Sequence, residues 1–331
     1  QSKEAHVHET DISRASASYA AFMLGISNMR RRKMRTGLTL LTLVLLTFTV
    51  LSFTSFNAQV RFLAFSMEHE GAYEGVLIRD RNWSTLNEPT LDYARSHFEK
   101  QGLIVPRNWY IAFDDEQKKY IEVKRNSEIV RATGMLGLAP EEDEISGISR
   151  SLVAGTYFRE DDVNVCLISE EMAESLGVDP SMIGKASVQI FGRKLIVRGV
   201  FSSDNFEAVR DLDDEPLTPA DFQMSSAQAL GPEAADNMTV EVSEATLDVK
   251  PFVHLEAENV VVLPFETLKE AGGTMRSVAV RFGPNVEGKT LLEDFLLRLS
   301  ITLFAGLATG GEKVINVFSY TSMDMTNVEG L

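Results

Sequence analysis

The sequence predicts an α+β protein in which one N-terminal transmembrane helix precedes an extracytoplasmic domain of two α/β lobes and a β-rich insert. Residues 36–60 contain no charged side chain, and five cations stand directly before them: Arg30, Arg31, Arg32, Lys33 and Arg35. Beyond residue 60, short strand and helix patterns alternate. A helix rises about 1.5 Å per residue, so about 20 residues cross a hydrocarbon core about 30 Å thick.

The basic cluster predicts the orientation of this span. Lys and Arg stay on the cytoplasmic side, which places the N-terminus inside and residues after about 60 outside. A buried core helix is disfavoured because 25 uncharged residues lie beside a basic cluster. A cleaved signal peptide is disfavoured because the apolar run is too long and lies too far from the start.

Charge and cysteine content narrow the possible partners. Residues 1–35 carry seven Lys or Arg against three Asp or Glu, whereas the remainder carries 25 against 45. A strongly acidic outer region argues against nucleic acid as a partner, because phosphate binding needs a basic face. Cys166 is the single cysteine, so no intrachain disulfide is expected, and its run VNVCLIS predicts a buried apolar residue.

The N-terminal part divides into four predicted segments. We expect a flexible cytoplasmic start over 1–13, an amphipathic interfacial helix with the basic cluster over 14–35, the transmembrane helix over 36–60 and a stalk over 61–70. An apolar helical pattern over 58–67 predicts that the transmembrane helix continues into the stalk. The alternative for residues 14–35 is a cytosolic packing helix.

Within the span, Thr39, Thr42, Thr49 and Ser52 cluster on one side of the helix. Small hydroxylated residues are favoured where membrane helices touch, so this face is predicted to pack against other spans, and the lipid bilayer surrounds the rest. The alternative is that these hydroxyls only bond back to their own helix.

The outer region is predicted as a first lobe half at 71–135, a β-rich insert at 136–255 and a second lobe half at 256–331. The first half contains a strand, a helix closed by Gly102, and further strands, of which the one interrupted by Pro106 is expected near a sheet edge. The insert contains a strand and short helix, a hairpin turning at 191–193 and long loops over 204–244. The run 299–311 is too short for a second span and predicts a buried strand and turn.

No catalytic motif is found. The sequence lacks HExxH, a phosphate-binding loop and a nucleophile elbow, so no catalytic, cofactor-binding or metal-ligating residue is proposed. His6 and His8 are predicted to be solvated. The acidic runs 114–116, 141–144 and 211–215 lack the spacing of an EF-hand and are predicted to be solvated loops.

Two stretches resemble a known family. The run GISNMRRRKMRTGLTLLTLVLL is similar to the start of ABC-transporter permease subunits of the MacB/FtsX class. The run 152–201 resembles the periplasmic core of that class, at Gly155–Phe158, Val163–Leu176, Ile183–Lys185 and Val197–Val200. Together they cover about a fifth of the chain. The resemblance implies porter-like lobes interrupted by a sabre-like β-rich insert, in agreement with the patterns above.

The resemblance also implies a function and a place in the cell. It implies a non-catalytic permease component in the bacterial inner membrane, without a cofactor, that transmits ATP-driven motion to a periplasmic domain acting on an extracytoplasmic substrate. The implied partners are a cytoplasmic ABC ATPase subunit, a second permease subunit (the same or a different chain), and a periplasmic adaptor or lipoprotein.

The sequence departs from the class in two ways. Three later helices are missing, which predicts a fragment ending before the second span, and residues 204–251 match nothing closely, which leaves the substrate open. The alternative function is the membrane-anchored sensing domain of a receptor. A membrane-anchored hydrolase is disfavoured because no catalytic constellation is found.

Overall fold

The computed structural model describes residues 14–31, 33–54, 56–80, 82–112, 120–222, 252–299, 304–308 and 313–325. The predictions for residues 1–13, for the acidic run 114–116 and for much of the loop region 204–244 lie outside these ranges. The chain forms two compact units, one of residues 1–59 and 321–331 and the other of residues 60–320.

The first unit contains two helices, α1 (Arg14–Arg31) and α2 (Lys33–Thr54). In the described part of the chain, Lys33–Leu51 is the one stretch of helix long and apolar enough to cross a membrane, and its side chains are exposed. The prediction of one N-terminal apolar helix is therefore confirmed. Large apolar side chains such as Tyr19, Phe22 and Leu24 are exposed on α1. Its position along the membrane surface stays a prediction.

The predicted helical continuation over 58–67 is wrong. Helix α2 ends at Thr54, and a strand, β1 (Phe56–Glu70), begins two residues later. β1 pairs with the last described strand along the chain, and Phe62 and Met67 pack against core clusters. Pairing with a partner strand that is distant in sequence outweighs the local apolar spacing.

The elements after β1 alternate as a mixed α+β domain, which confirms the fold class. The strands that follow are β2 (Gly75–Arg79), β3 (Gly102–Ile111), β4 (Ile121–Arg125), β5 (Glu128–Ala132), β6 (Gly134–Leu138), β7 (Leu152–Gly155), β8 (Val165–Ser169), β9 (Ser187–Ile190), β10 (Arg193–Phe201), β11 (Val260–Pro264), β12 (Thr274–Phe282), β13 (Phe304–Ala308) and β14 (Lys313–Met325). The helices are α3 (Glu88–Phe98), α4 (Glu142–Ser146), α5 (Glu170–Ser175), α6 (Ser203–Glu207), α7 (Phe265–Glu270) and α8 (Gly288–Leu299).

One sheet joins these strands in the order β1-β14-β13-β2-β12-β3-β6-β11-β8-β10-β9-β4-β5, and β7 pairs with β10. β2 and β3, from the predicted first lobe half, lie among strands of the predicted second half. β4 and β5, assigned to the same first half, lie beyond β9 of the predicted insert. Their buried residues Ile121, Val123 and Ala132 join the core cluster under β8–β10. The sheet order therefore groups the strands differently from the predicted boundaries.

Several local predictions are confirmed by the structure. The hairpin of β9 and β10 turns at Phe191 and Gly192, both with positive φ, and Ile190 pairs with Arg193. Two positive φ values suit the type I′ turn, whose twist matches that of the strands. Cys166 is fully buried, and burial raises the pKa of its thiol to about 12.

Two details near β3 differ from the prediction. Helix α3 ends at Phe98, and Gly102 instead begins β3. β3 is an interior strand, with β12 on one side and β6 on the other. It nevertheless tolerates Pro106, because β6 pairs with β3 only from Asn108 onward, so Pro106 lies where β12 alone flanks the strand.

A buried acidic hook as the candidate functional site

Residues 211–215, with the sequence Asp-Leu-Asp-Asp-Glu, form a tight turn that we call the acidic hook. The Asp211 amide donates to the Glu215 carbonyl at 2.9 Å, and Asp214 adopts φ 63°. Asp211, Asp213 and Glu215 are buried, whereas Asp214 is exposed. The prediction that this run is a solvated loop is wrong, because every second side chain turns toward buried cations.

Those cations are Arg79 at the end of β2 and Arg107 in β3. Both residues stand in register with Ser277 of β12, the strand between them. Residues directly opposite on neighbouring strands share a face, so the two arginines project from the same face about 10 Å apart. Their exposed fractions are 0% and 2%. Small Ser277 separates them in this row across the sheet.

Arg107 joins the hook to helix α4. Its Nε and Nη2 donate to the two carboxylate oxygens of Glu142, both at 2.9 Å, and its Nη1 donates to Asp211. Tyr73 donates its hydroxyl to the other oxygen of Asp211 at 3.0 Å. Burial acts to lower the pKa of Arg107, but the charges of Asp211 and Glu142 raise it well above its usual value. A two-pronged contact of this kind is both strong and directional.

Helix α4 corrects the second acidic prediction. Residues 141–144 were expected in a solvated loop, but Glu142 is fully buried against Arg107. Glu144 remains at the surface, where it pairs with Arg281 at 3.3 Å. One turn of helix therefore points one carboxylate inward and another outward.

Arg79 forms the other half of the network. Its Nε donates to Asp213 at 2.8 Å and its Nη2 to Glu215 at 3.4 Å. Its guanidinium lies 4.3 Å from the ring centre of Trp83, which itself packs 4.4 Å from Trp109. The charge of Arg79 is thus covered by an aromatic face and by carboxylates.

Glu215 is held from three directions. Besides Arg79, the Trp83 indole Nε1 donates to Glu215 Oε2 at 3.1 Å, and His254 Nε2 lies 3.0 Å from the same oxygen. The other ring nitrogen of His254 bonds to the Thr218 carbonyl oxygen. Burial acts to raise the pKa of Glu215, but the bond from His254 and the charge of Arg79 lower it overall.

Asp213 behaves differently from Glu215. Burial raises its pKa from 3.8 to about 6, opposed by Arg79 and assisted by the neighbouring charges of Asp211 and Glu215. Burial likewise raises the pKa of Tyr73 well above its usual value. Several carboxylates crowd around two guanidinium groups in a buried site, which explains why one carboxyl, that of Asp213, keeps its proton to a higher pH than usual.

The hook also contacts the first strand, since His69 Nε2 of β1 lies 3.0 Å from the Leu212 carbonyl oxygen. Polar contacts from β1, β2 and β3 and from residue 254 therefore converge on one five-residue turn, and Arg107 joins this turn to α4. Most of these contacts are buried. The arrangement suits a connector that ties several strands to one point.

The residues that the sequence singled out lie elsewhere, in the first unit. Lys33 and Arg35 are exposed in the first turn of α2. The side chains of Arg30, Arg31, Arg32 and Ser52 lie outside the described part of the structure. Thr39, Thr42 and Thr49 donate their hydroxyls to carbonyl oxygens of their own helix, at 2.9, 2.8 and 2.7 Å. That is the alternative weighed above, and packing against other spans stays a prediction.

Sequence reasoning missed the hook, although it left two signals. Arg79 and Arg107 each interrupt a strongly apolar strand pattern. The run 211–215 has four acidic residues in five positions, at 211, 213, 214 and 215. Because charged residues are almost never fully buried without a partner, the two arginines predict acidic partners elsewhere in the chain, and this run supplies them.

Comparison with known proteins places the chain in a family. The family model of the MacB-like periplasmic core domain matches residues 36–251, which is more than half of the chain. The chain belongs to this family. The match begins at Thr36, the first residue after the basic cluster, and it includes the acidic hook. The resemblance to MacB/FtsX-like permeases is therefore confirmed.

The crystal structure of the periplasmic region of MacB from Actinobacillus actinomycetemcomitans is similar, with a TM-score of 0.41 and 12% identity, covering 69% of this chain and 84% of that one. No curated protein matches the sequence. Membership of the MacB-like family supports an ABC-transporter-type membrane component. Together with the N-terminal apolar helix, it fits a protein of the inner membrane. Members of the family are generally non-catalytic, with the ATPase in a separate subunit.

Proposed function

We propose that this chain is the permease component of an ABC transporter, in which it transmits ATP-driven motion to a periplasmic domain that acts on an extracytoplasmic substrate. The N-terminus is cytoplasmic, and residues after about 60 are periplasmic. The observation that carries the proposal is the MacB-like family match over 36–251, which spans the apolar helix and much of the outer domain.

The connection between helix and sheet supports a mechanical role. Only Ser55 separates the end of α2 from the start of β1, so no long linker intervenes in the chain. In the sheet, β1 lies beside β14, β14 lies beside β13, and β13 lies beside β2. Movement applied to β1 would therefore pass through hydrogen-bonded strands rather than through a flexible tether.

The acidic hook supplies a second route for the same motion. His69 of β1 and Arg79 of β2 both contact it, and Arg107 joins it to β3 and α4. Breaking a buried charge pair is costly because it leaves an uncompensated charge, so the segments that these pairs join are expected to move together. We propose that the hook passes motion between these segments as one packed element.

The proposal implies three protein partners. A cytoplasmic ABC ATPase supplies the energy, and a second permease subunit packs against the face of α2 that carries Thr39, Thr42, Thr49 and Ser52. A periplasmic adaptor or a lipoprotein substrate meets the outer domain. The basic cluster, Arg30 to Arg35, holds the N-terminus on the cytoplasmic side.

Motion in the outer domain tests the proposal. Val163 is 59% exposed, and the native thiol of Cys166 is buried, so a Val163→Cys variant takes a single spin label in the full-length protein. Vesicles containing this variant and its ATPase are given ATP, and distances between labels in paired permease subunits are measured. We expect the distance distribution to change with ATP and to stay unchanged with an ATPase that cannot hydrolyse it.

An unchanged distribution in both samples would contradict mechanical transmission.

The coding sequence after Leu331 distinguishes this function from that of a receptor. Three apolar runs of about 20 residues support a permease, whereas one run followed by a signalling module would replace the proposal by the receptor.

A further inference from the structure

The network formed by the acidic hook, Glu142, Arg79 and Arg107 contains more carboxylates than cations. Glu142, Asp211, Asp213 and Glu215 are all at most 8% exposed, and they face the guanidinium groups of Arg79 and Arg107. Four carboxylates against two cations would leave two buried negative charges without a counter-charge. Such charges are costly, and a protein relieves the cost by binding protons.

The surroundings of His254 show where one such proton is held. The His254 side chain is 4% exposed, with Nε2 facing a Glu215 carboxylate oxygen at 3.0 Å and Nδ1 bonded to the Thr218 carbonyl oxygen. A carbonyl and a carboxylate can only accept hydrogen bonds, whereas a neutral imidazole has one donor and one acceptor nitrogen. Both contacts are favourable only when both ring nitrogens carry protons.

We infer that His254 is a proton-dependent latch: when both ring nitrogens carry protons it holds Glu215 of the acidic hook to the segment 252–255, and loss of one proton breaks one of its two contacts. Loss of the proton would set a nitrogen lone pair against an oxygen lone pair. The backbone around the latch keeps its own contacts, since the Leu255 amide donates to the Pro219 carbonyl at 2.8 Å. Loss of the proton therefore weakens the tie between the hook and this segment without unfolding the segment, and the hook keeps its bonds to Arg79, Arg107 and Trp83.

The charged groups around the ring act in both directions. Glu215 faces His254 from the hook and favours the protonated ring, and Asp213 and Glu142 add negative charge behind it. Arg79 and Arg107, and Arg276 of β12, which donates to the Trp83 carbonyl at 2.6 Å, carry positive charge that opposes protonation. Glu215 decides the direction, because it is the charged group in hydrogen-bond contact with the ring.

The latch would regulate the proposed transporter. If the hook carries motion from β1 and β2, the protonation of His254 decides how firmly the segment 252–255 follows them. This consequence rests on the proposed function. The proton dependence itself does not, so the experiment below needs neither an ATPase nor a substrate.

The two tryptophans of the chain report on the latch directly. Trp83 and Trp109 each lie 6.2 Å from the His254 ring in edge-on geometry, and Trp83 also donates to Glu215. Protonated imidazole quenches indole emission more strongly than neutral imidazole. We expect the fluorescence of the full chain in detergent to rise between about pH 5 and 8, the range in which histidine ordinarily changes charge. Asp213, whose pKa is about 6, also titrates in this range and bonds to the Arg79 that lies over Trp83, so the chain and the variants below are all measured with Asp213→Asn present.

Three variants test the assignment. His254→Gln should abolish the transition, whereas His97→Gln, which alters a histidine bonded to the Leu291 carbonyl in another core cluster, should leave it unchanged. Glu215→Gln keeps the size of the side chain but removes the charge that favours the protonated ring. It should move the midpoint to lower pH.

Two results would overturn the latch: emission that stays constant across this pH range in the chain that keeps His254, or a transition that survives unchanged in His254→Gln. If His254→Gln does not fold, the midpoint in Glu215→Gln decides the matter. An unshifted midpoint there refutes the latch, and a shift to lower pH supports it.

Discussion

Asp213 should make the fold less stable as pH rises, which is the opposite of the usual effect of a paired carboxylate. Its pKa is about 6 in the folded chain against a usual value of 3.8. Each unit of difference is worth about 1.4 kcal/mol, so the whole difference amounts to about 3 kcal/mol. As pH rises, the unfolded chain releases this proton first, and the folded state loses relative stability until about pH 6.

Asp213→Asn removes this titration and preserves the shape of the protonated side chain. The free energy of unfolding of the variant minus that of the wild type should therefore rise by about 3 kcal/mol between about pH 3 and pH 7 and then level off. Urea unfolding of the full chain in detergent, followed by the emission of Trp83 and Trp109, measures this difference. Opposing contributions, such as that of Glu215, are largely shared by both chains.

Asp214 provides a matched control on the same turn. Asp214→Asn makes the same chemical change at an exposed position, and Asn tolerates its positive φ of 63°. We expect its stability difference from the wild type to stay nearly constant with pH. A flat difference for Asp213→Asn, or one that falls as pH rises, would refute the assignment of a buried, proton-holding carboxyl.

Three further predictions follow from the same structure. Arg107→Leu leaves two buried carboxylates without their cation and should lower the free energy of unfolding, measured in urea, by roughly 3–5 kcal/mol. Arg281→Leu breaks a surface pair and should lower it by less than about 1 kcal/mol. Equal losses would contradict the burial of the network. Cys166, with its pKa raised to about 12, should resist maleimide at neutral pH until the chain is unfolded, while Val163→Cys reacts at once; rapid labelling of the native thiol would show that the core is open. Replacing the five cations of the basic cluster by Gln should scramble the orientation of the span, so that an impermeant maleimide no longer labels Val163→Cys uniformly from outside; unchanged labelling would refute their role in topology.

The local elements of this protein could be predicted from neighbouring residues. The apolar helix α2 follows from an uncharged run beside cations, and the β9–β10 hairpin follows from two alternating arms around Phe191 and Gly192. Burial of Cys166 follows from its apolar neighbours. In each case the decisive interaction lies within a few residues, so periodicity and turn chemistry carry the information.

The strand β1 marks the limit of that reasoning. Its apolar spacing predicts a helix, but its pairing with β14 joins residues far apart in the chain. The same holds for the hairpin of β4 and β5: these two strands pair with each other, but β4 then lies beside β9 rather than beside β3 or β6. Strand pairing is decided by partners whose distance along the chain a local pattern does not record.

The sequence by itself determined the apolar span, its basic flank, the α+β class and the family resemblance. Only the tertiary structure decided the fate of the charges. Asp211, Asp213 and Glu215 look like a solvated loop until β2 and β3 bring Arg79 and Arg107 to one face of the sheet. A charge is exposed by default because burial is costly, and only a partner placed by the fold reverses that balance.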